Sequence, residues 1–163
     1  MPIDEYQAGA TFSLLDRLID LQPEAQKEVP SNSWEQMREF KAALCRDLTA
    51  LLNTRRANKD FDAVYAEATN SLLTFGITDF TAYNLKSETD QDQVRRSIER
   101  AIRQFEPRLT QVEVSVEKPD PLRPVLRFQI AALMRIEPAA EPVVFDATLQ
   151  RESRRIAVSG GNS

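Results

Sequence analysis

Histidine is absent from this sequence of 163 residues, and cysteine occurs once, as Cys45. Without histidine the chain lacks the usual base of Ser-His and Cys-His catalysis and the commonest ligand of transition metals. A single cysteine excludes an intramolecular disulfide and a cysteine-based zinc site. Catalysis could use only carboxylates, lysine, tyrosine or serine, and we expect neither a cofactor nor a metal.

Glycine and long apolar runs are also scarce. With only four glycines, the chain contains no phosphate loop, dinucleotide fingerprint or nucleophile elbow. No apolar run approaches the ~18 residues of a membrane-spanning helix. The first residues, MPIDEYQAG, have neither the basic nor the apolar region of a signal peptide. These absences predict a cytoplasmic protein without direct membrane insertion.

Charged residues are present in ordinary number, 28% of the chain, and the net charge is −4. This balance argues against generic nucleic-acid binding. One segment is rich in arginine, but Glu99 interrupts it and no exposed aromatic residues alternate with the basic ones. The pattern therefore favours a solvated or protein-binding face, formed by Arg95, Arg96, Arg100 and Arg103.

Hydrophobic spacing predicts two long helices. The first runs from residue 33 to about residue 53 and buries Met37, Phe40, Leu44, Leu48 and Leu51. A short helix over 66–76 is expected to end at Gly76, since a glycine is favoured just after a helix. The second long helix opens on the acidic SETDQD. Its buried face comprises Val94, Ile98, Ala101, Ile102 and Phe105, and we expect Phe105 to be fully buried.

After Pro107 the hydrophobic period changes to two, as in strands. Three strands are predicted from alternating apolar residues. These residues are Val112, Val114 and Val116 in the first strand, Leu126, Phe128, Ile130 and Met134 in the second, and Val143, Phe145, Ala147 and Leu149 in the third. The segment RRIAV is a candidate fourth, edge strand. Because the connections are short, neighbouring strands should pair antiparallel as hairpins. The predicted fold class is α+β, with N-terminal helices packed on one face of a C-terminal antiparallel sheet of three to four strands.

The length suits a single domain. We assign residues 33–151 to that α+β domain, 1–11 to a disordered N-terminus and 152–163 to an edge strand or flexible tail. Residues 12–32 comprise a docking helix and a linker. The helix is too short to be stable alone in water, so its apolar side chains should dock on a partner. These side chains are Leu14, Leu15 and Leu18.

Glu106, Pro107 and Arg108 lie where the last helix gives way to the first strand, and three interpretations are open. Pro107 alone explains a helix stop. Glu106 could be the acid of a two-carboxylate glycosidase, with Asp146 or Glu113 as its partner, although the nearby arginine disfavours a protonated carboxyl. The third interpretation is an ion-pair hook that docks another protein, with both side chains dispensable for the core.

Four segments in order carry a family resemblance: FSLLDRL, RDLTALLNTRR, SLLTFGITDF, and SIERAIRQFEPRL followed by V-x-V-x-V. Together they resemble the TssE family of type VI secretion baseplate subunits. They also resemble the lysozyme-like wedge proteins of contractile phage tails. The likeness spans about residues 12–150, and the most specific piece is FEPRL.

The resemblance implies a non-enzymatic wedge subunit that promotes assembly of the contractile sheath, with Glu106, Pro107 and Arg108 as the sheath attachment motif. The implied partners are the larger wedge subunits TssF, TssG and TssK, the sheath subunits TssB and TssC, and the inner tube and spike hub. A sheet edge could serve as a template for a sheath strand. The implied location is a cytoplasmic baseplate docked at the inner membrane complex. The alternative function is a peptidoglycan-cleaving, lysozyme-like glycosidase.

Overall fold

The protein is described from a computed structural model, which covers Leu18 and residues 33–56, 65–80, 82–84, 87–117, 125–136, 139–150 and 155–161. Beyond the helical residue Leu18, the described residues first form three helices: α1 (Ser33–Asn53), the short α2 (Ala66–Thr69) and α3 (Glu88–Phe105), with a 3-10 turn at Leu72–Thr74 before α3. Four strands follow: β1 (Leu109–Val116), β2 (Leu126–Met134), β3 (Glu141–Leu149) and β4 (Ile156–Gly160). The predicted α+β class is confirmed.

The strands form one antiparallel sheet in the order β1-β2-β3-β4. Each strand pairs with the next along the chain, because the connections are too short for a crossover. The segment RRIAV supplies most of β4, so the candidate fourth strand is present at the edge. Alternate residues along β2 and β3 are buried, as expected for a sheet with one covered face.

The covered face lies beneath the two long helices. Helix α3 packs on β1, α1 packs on β4, and the helices also contact each other. Their predicted apolar faces meet the sheet in one cluster, in which Phe40, Ile98 and Phe128 are fully buried. Burial of one such side chain contributes about 1.5–3 kcal/mol. The core is therefore a layer between two helices and one sheet.

Two sequence expectations about this core are wrong. Phe105 is only partly buried, and its ring meets Phe75 edge-on with the centroids 5.1 Å apart. The buried position one turn beyond Ile102 is occupied by Glu106 instead, which is 5% exposed. The helix ends as it enters the core, so the periodic pattern points to the wrong residue. Met37 of α1 is likewise only partly buried.

The short helix predicted over 66–76 is interrupted. The hydroxyl oxygen of Ser71 accepts a hydrogen bond from the backbone N–H of Leu73, an arrangement that competes with helical bonding. Helix α2 therefore ends at Thr69 and a 3-10 turn follows. Gly76 then adopts a φ of 101°, which confirms the predicted left-handed glycine.

Strand β1 contains a bulge that the sequence pattern does not indicate. Its pairing with β2 shifts between Thr110 and Glu113, and Gln111 has a φ of 50°. The extra residue lets Leu109 and Val112, three positions apart, face the same core. The bulge therefore changes the direction in which the first side chains of β1 point, immediately after the Glu-Pro-Arg trio.

We expect Gly76→Ala to destabilise the fold. A β-carbon at Gly76 would lie 2.3 Å from the backbone oxygen of Thr54, and the positive φ strains any side chain. The strain of the positive φ alone costs about 1–2 kcal/mol. Gly160→Ala is the matched control, since a β-carbon there meets nothing within 4 Å. Equal free energies of unfolding in urea for the two variants would contradict this account.

Candidate partner-binding site at the Glu-Pro-Arg corner

Backbone hydrogen bonds fix the corner formed by Glu106, Pro107 and Arg108. The N–H of Glu106 donates to the carbonyl of Ile102 at 2.9 Å and closes the last turn of α3. Pro107 has no N–H to continue the helix. The carbonyl of Arg108 accepts from the N–H of Arg135 at 2.8 Å, just beyond β2. The corner therefore joins the end of α3 to both β1 and the end of β2.

The two charged side chains of the corner form a two-pronged ion pair. The Nε of Arg108 lies 2.7 Å from Oε1 of Glu106, and its Nη2 lies 2.7 Å from Oε2. The backbone N–H of Arg108 donates to the same Oε1 at 3.2 Å. The side chains are 14% exposed for Arg108 and 6% for Glu106. A planar guanidinium matches a carboxylate in this way, whereas a lysine ammonium does not.

Helix α1 contributes a third charged group, Asp47. Its Oδ2 lies 2.6 Å from Nη2 of Arg108, and its Oδ1 lies 2.9 Å from the guanidinium of Arg46. The guanidinium carbon of Arg108 also lies 5.7 Å from the ring centroid of Phe40. We call Glu106, Arg108 and Asp47 the corner brace. It ties the middle of α1 to the junction of α3 and β1.

The sequence contains an indication that Asp47 has a buried partner, although the apolar residues around it make this hard to recognise. Asp47 comes seven residues after Phe40 and four before Leu51, so a carboxylate stands on the buried stripe of α1. A charge in such a position is costly unless a buried partner compensates it. The partner lies 61 residues away along the chain, and local periodicity cannot identify it.

The electrostatics of the brace keep Arg108 charged. Hydrogen bonding to Glu106 raises the pKa of Arg108 above its ordinary value; partial burial opposes this shift, and hydrogen bonding to Asp47 adds to it. Because the ordinary pKa of arginine is already far above neutral, the guanidinium stays protonated around neutral pH. Arg108 therefore contributes a fixed positive charge to the corner brace.

The placement of the trio differs from the sequence expectation in one respect. Glu106 and Arg108 were expected to be dispensable for the core, but both point inward and bind each other, and Arg108 also binds Asp47 of α1. Only Pro107 of the trio is exposed. Their role in partner binding remains a prediction, whereas their structural role is a direct observation.

The structure does not bring the candidate glycosidase carboxylates together. Glu106 lies on the covered side of the sheet, where both of its oxygens accept hydrogen bonds from Arg108. Glu113 and Asp146 alternate with buried neighbours along β1 and β3, so they lie on the opposite face. Among the described residues, no cluster of three or more His, Cys, Asp or Glu side chains could hold a metal ion.

The predicted docking helix falls almost entirely outside the described residues, including Leu14 and Leu15. Leu18 is described: it is helical, and its side chain is 73% exposed. Within the described part of the chain, no helix is both long and apolar enough to cross a membrane.

The sequence that forms this α+β domain matches a known protein family. The family model of "Baseplate wedge protein gp25" matches residues 38–139, which is more than half of the chain. The chain belongs to this baseplate wedge family. The match extends from the first turns of α1 past the end of β2, and it therefore contains the whole corner brace.

One similar solved structure is a chain of "The baseplate complex from the type VI secretion system". It is 15% identical, covers 71% of this chain and 98% of its own length, and has a TM-score of 0.48. No curated protein matches the sequence. The resemblance stated from the four sequence segments is confirmed at the level of the family.

We expect Arg108→Ala to cost about 3–5 kcal/mol in the free energy of unfolding, because it leaves the buried carboxylate of Glu106 without a partner. Arg127→Ala removes an exposed arginine from the outer face of β2 and should change stability by less than about 0.5 kcal/mol. Urea unfolding of the two variants measures the difference. Equal stabilities would show that the corner brace does not support the fold.

Proposed function

We propose that this protein is a non-enzymatic structural component of the type VI secretion baseplate wedge. It links the larger wedge subunits to the contractile sheath and promotes sheath assembly. The observation that carries the proposal is the family match over residues 38–139, which includes the corner. The proposed partners are TssF, TssG and TssK in the wedge, and TssB and TssC in the sheath. The proposed location is a cytoplasmic baseplate docked at the inner membrane complex.

In this proposal the corner serves sheath attachment by its rigidity. Arg108 binds both Glu106 and Asp47 of α1, so Pro107 is presented at a fixed position on the surface. A preorganised surface binds with less loss of conformational entropy than a mobile one. Glu106, Pro107 and Arg108 thus form one unit. The ion pair between Glu106 and Arg108 is largely buried, and Pro107 is exposed at the surface.

A sheath strand could add to either sheet edge, and the two edges differ. The N–H of Glu117 donates to β2, so along β1 the alternate residues Val112 and Val114 direct their carbonyls away from the sheet. Two arginines of α3 occupy these carbonyls. Arg103 donates to Val112 at 2.7 Å, and Arg95 donates to Val114 at 3.4 Å. The edge of β1 is therefore blocked in part by side chains of the same chain.

The edge of β4 is more open. Asn53 caps its beginning, since its side-chain amide bonds both the N–H and the carbonyl of Ile156. The next outward-facing position is Val158, and nothing among the described residues hydrogen-bonds to its backbone on that edge. Exposed backbone of this kind is the usual template for an added strand. We therefore propose the edge of β4 as the strand-accepting edge.

The corner and this open edge lie in different halves of the sheet. Leu109, beside the corner, pairs with Met134, which pairs with Glu141. Val158 pairs with Ala147, which lies in the row of Phe128 and Val116 at the other end of β1. A sheath segment added beside β4 would therefore make a contact separate from the one proposed for the corner.

We expect Val158→Pro to abolish sheath assembly without unfolding the protein. Proline removes an outward-facing N–H that β3 does not use, and proline is tolerated at such edge positions. Val158→Ala is the matched control, because it shortens the side chain but keeps the N–H. Fluorescence imaging of tagged sheath in cells measures assembly, and thermal melts measure folding. Normal sheaths with a folded Val158→Pro variant would contradict the choice of edge.

Deletion of residues 1–21 should leave the domain folded but weaken co-purification with TssF and TssG. The physical reason is that Leu18 is exposed in the isolated chain, whereas leucine on a docking helix is buried by its partner. The triple variant Leu14→Ser, Leu15→Ser, Leu18→Ser keeps the chain length. It should also stay folded and co-purify more weakly with TssF and TssG. If the deletion unfolds the isolated protein, this segment belongs to its own core and the docking role is wrong.

A further inference from the structure

The arginines of α3 divide into two groups that serve different purposes. Arg95 and Arg103 face β1 and both pair with Glu99, at 3.0 and 2.8 Å. Their positive charges are therefore balanced within the fold, by Glu99 and by backbone carbonyls of β1. Arg96 and Arg100 belong to another stripe of the helix, four residues apart, and face away from β1. This second pair lines a cleft of about 210 Å³.

The other wall of the cleft is built by the chain between α1 and α3. A short parallel bridge joins Arg55 to Ile77, and the N–H of Arg56 donates to the Ile77 carbonyl at 2.9 Å. This bridge places Arg56 beside the cleft. Opposite it, Ser97 of α3 accepts a hydrogen bond from the N–H of Thr78 at 3.2 Å. These hydrogen bonds fix the two walls of the cleft relative to each other.

The described lining of the cleft carries charges of one sign. It contains Arg56, Arg96 and Arg100, and none of the described residues that line it is an aspartate or a glutamate. Arg96 is neutralised in part by Asp92, whose Oδ2 lies 2.7 Å from its Nε. Arg100 is exposed and makes neither a hydrogen bond nor an ion pair with any described residue. Arg100 therefore brings to the cleft a positive charge that no described carboxylate balances.

One rim of the cleft is apolar. Leu72 and Leu73 form the 3-10 turn that leads into Thr74, a lining residue, and their side chains are 81% and 56% exposed. The side-chain amide of Gln104 on α3 donates to the Thr69 carbonyl and to the Thr74 hydroxyl, at 2.6 and 3.1 Å. These bonds anchor the turn against α3. Two adjacent exposed leucines on an anchored turn form a surface suited to contact with another protein.

We infer that this cleft is a docking site for an acidic segment of a partner protein that carries apolar side chains beside its carboxylates. The guanidinium groups would bind the carboxylates in planar, two-pronged fashion, and the leucines would pack against the apolar residues. A nucleic acid fits less well, because the net charge of −4 repels a polyanion and the leucine rim offers nothing to phosphates. The inference does not depend on the proposed sheath attachment, because the cleft lies on the side of α3 away from β1.

The test uses the full chain and a fluorescein-labelled ten-residue peptide of alternating glutamate and leucine, with binding followed by fluorescence anisotropy at low ionic strength. We expect binding that weakens as salt is added. Arg100→Glu should weaken it by about tenfold or more, since a charge pair becomes a repulsion. Arg127→Glu makes the same change in net charge on the outer face of β2 and should leave the affinity unchanged.

Two further probes separate the parts of the inference. The double variant Leu72→Ser, Leu73→Ser should weaken binding of the glutamate-leucine peptide but not of an all-glutamate peptide of equal length. A ten-nucleotide single-stranded DNA carries about as many negative charges as the all-glutamate peptide and should bind more weakly than either peptide. The inference is overturned if the wild-type chain does not bind the peptide, if Arg100→Glu and Arg127→Glu weaken binding equally, or if the DNA binds more tightly.

Discussion

The ionic contact between Arg108 and two carboxylates, Glu106 and Asp47, is the constraint on which the arrangement of the helices and the sheet depends. It joins the end of α3, the start of β1 and the middle of α1 within one set of hydrogen bonds. A buried ion pair adds little net stability compared with a well-packed apolar core, but losing one member is expensive. The brace therefore specifies one geometry more than it strengthens the fold.

This constraint explains why a helix stop contains a glutamate and an arginine as well as a proline. Pro107 alone would end α3, but it would not set the direction of the chain afterwards. The brace anchors the corner to α1, and the bulge at Gln111 then turns the side chains of β1 toward the core. Arg103 fastens the bulged strand to α3 through the carbonyl of Val112. The result is a sheet whose corner end is fixed to both long helices.

Much of the fold was predictable from the sequence because it depends on local periodicity. The bounds of α1, the buried stripe of α3 up to Ile102 and the first three strands follow from spacings of 3.6 and two residues, and RRIAV was a candidate for the fourth strand. The errors arise where a tertiary contact overrides that pattern. Helical spacing places Phe105 on the buried stripe of α3, but the helix ends at this residue. The side chain of Glu106 is buried in the core instead.

The candidate site was predictable only in part. The trio was identified from its position at a change of period, but its inward orientation depends on Asp47, which is distant in the sequence. The sequence also does not show that the arginines of α3 occupy two different environments, one beside β1 and one beside the cleft. Arg95 and Arg96 are neighbours in the sequence but lie on different sides of one helix, and only the packing of β1 against α3 distinguishes them.

The most direct test of the account is a cryo-electron microscopy reconstruction of the assembled baseplate with its first sheath ring. The account predicts that Arg108 still binds Glu106 and Asp47 in the assembly, with Pro107 at the surface and a sheath segment paired beside Val158 on β4. A map in which Arg108 has left Asp47 and its guanidinium binds a sheath carboxylate would contradict the account. It would show a hook that opens on binding rather than a permanent brace.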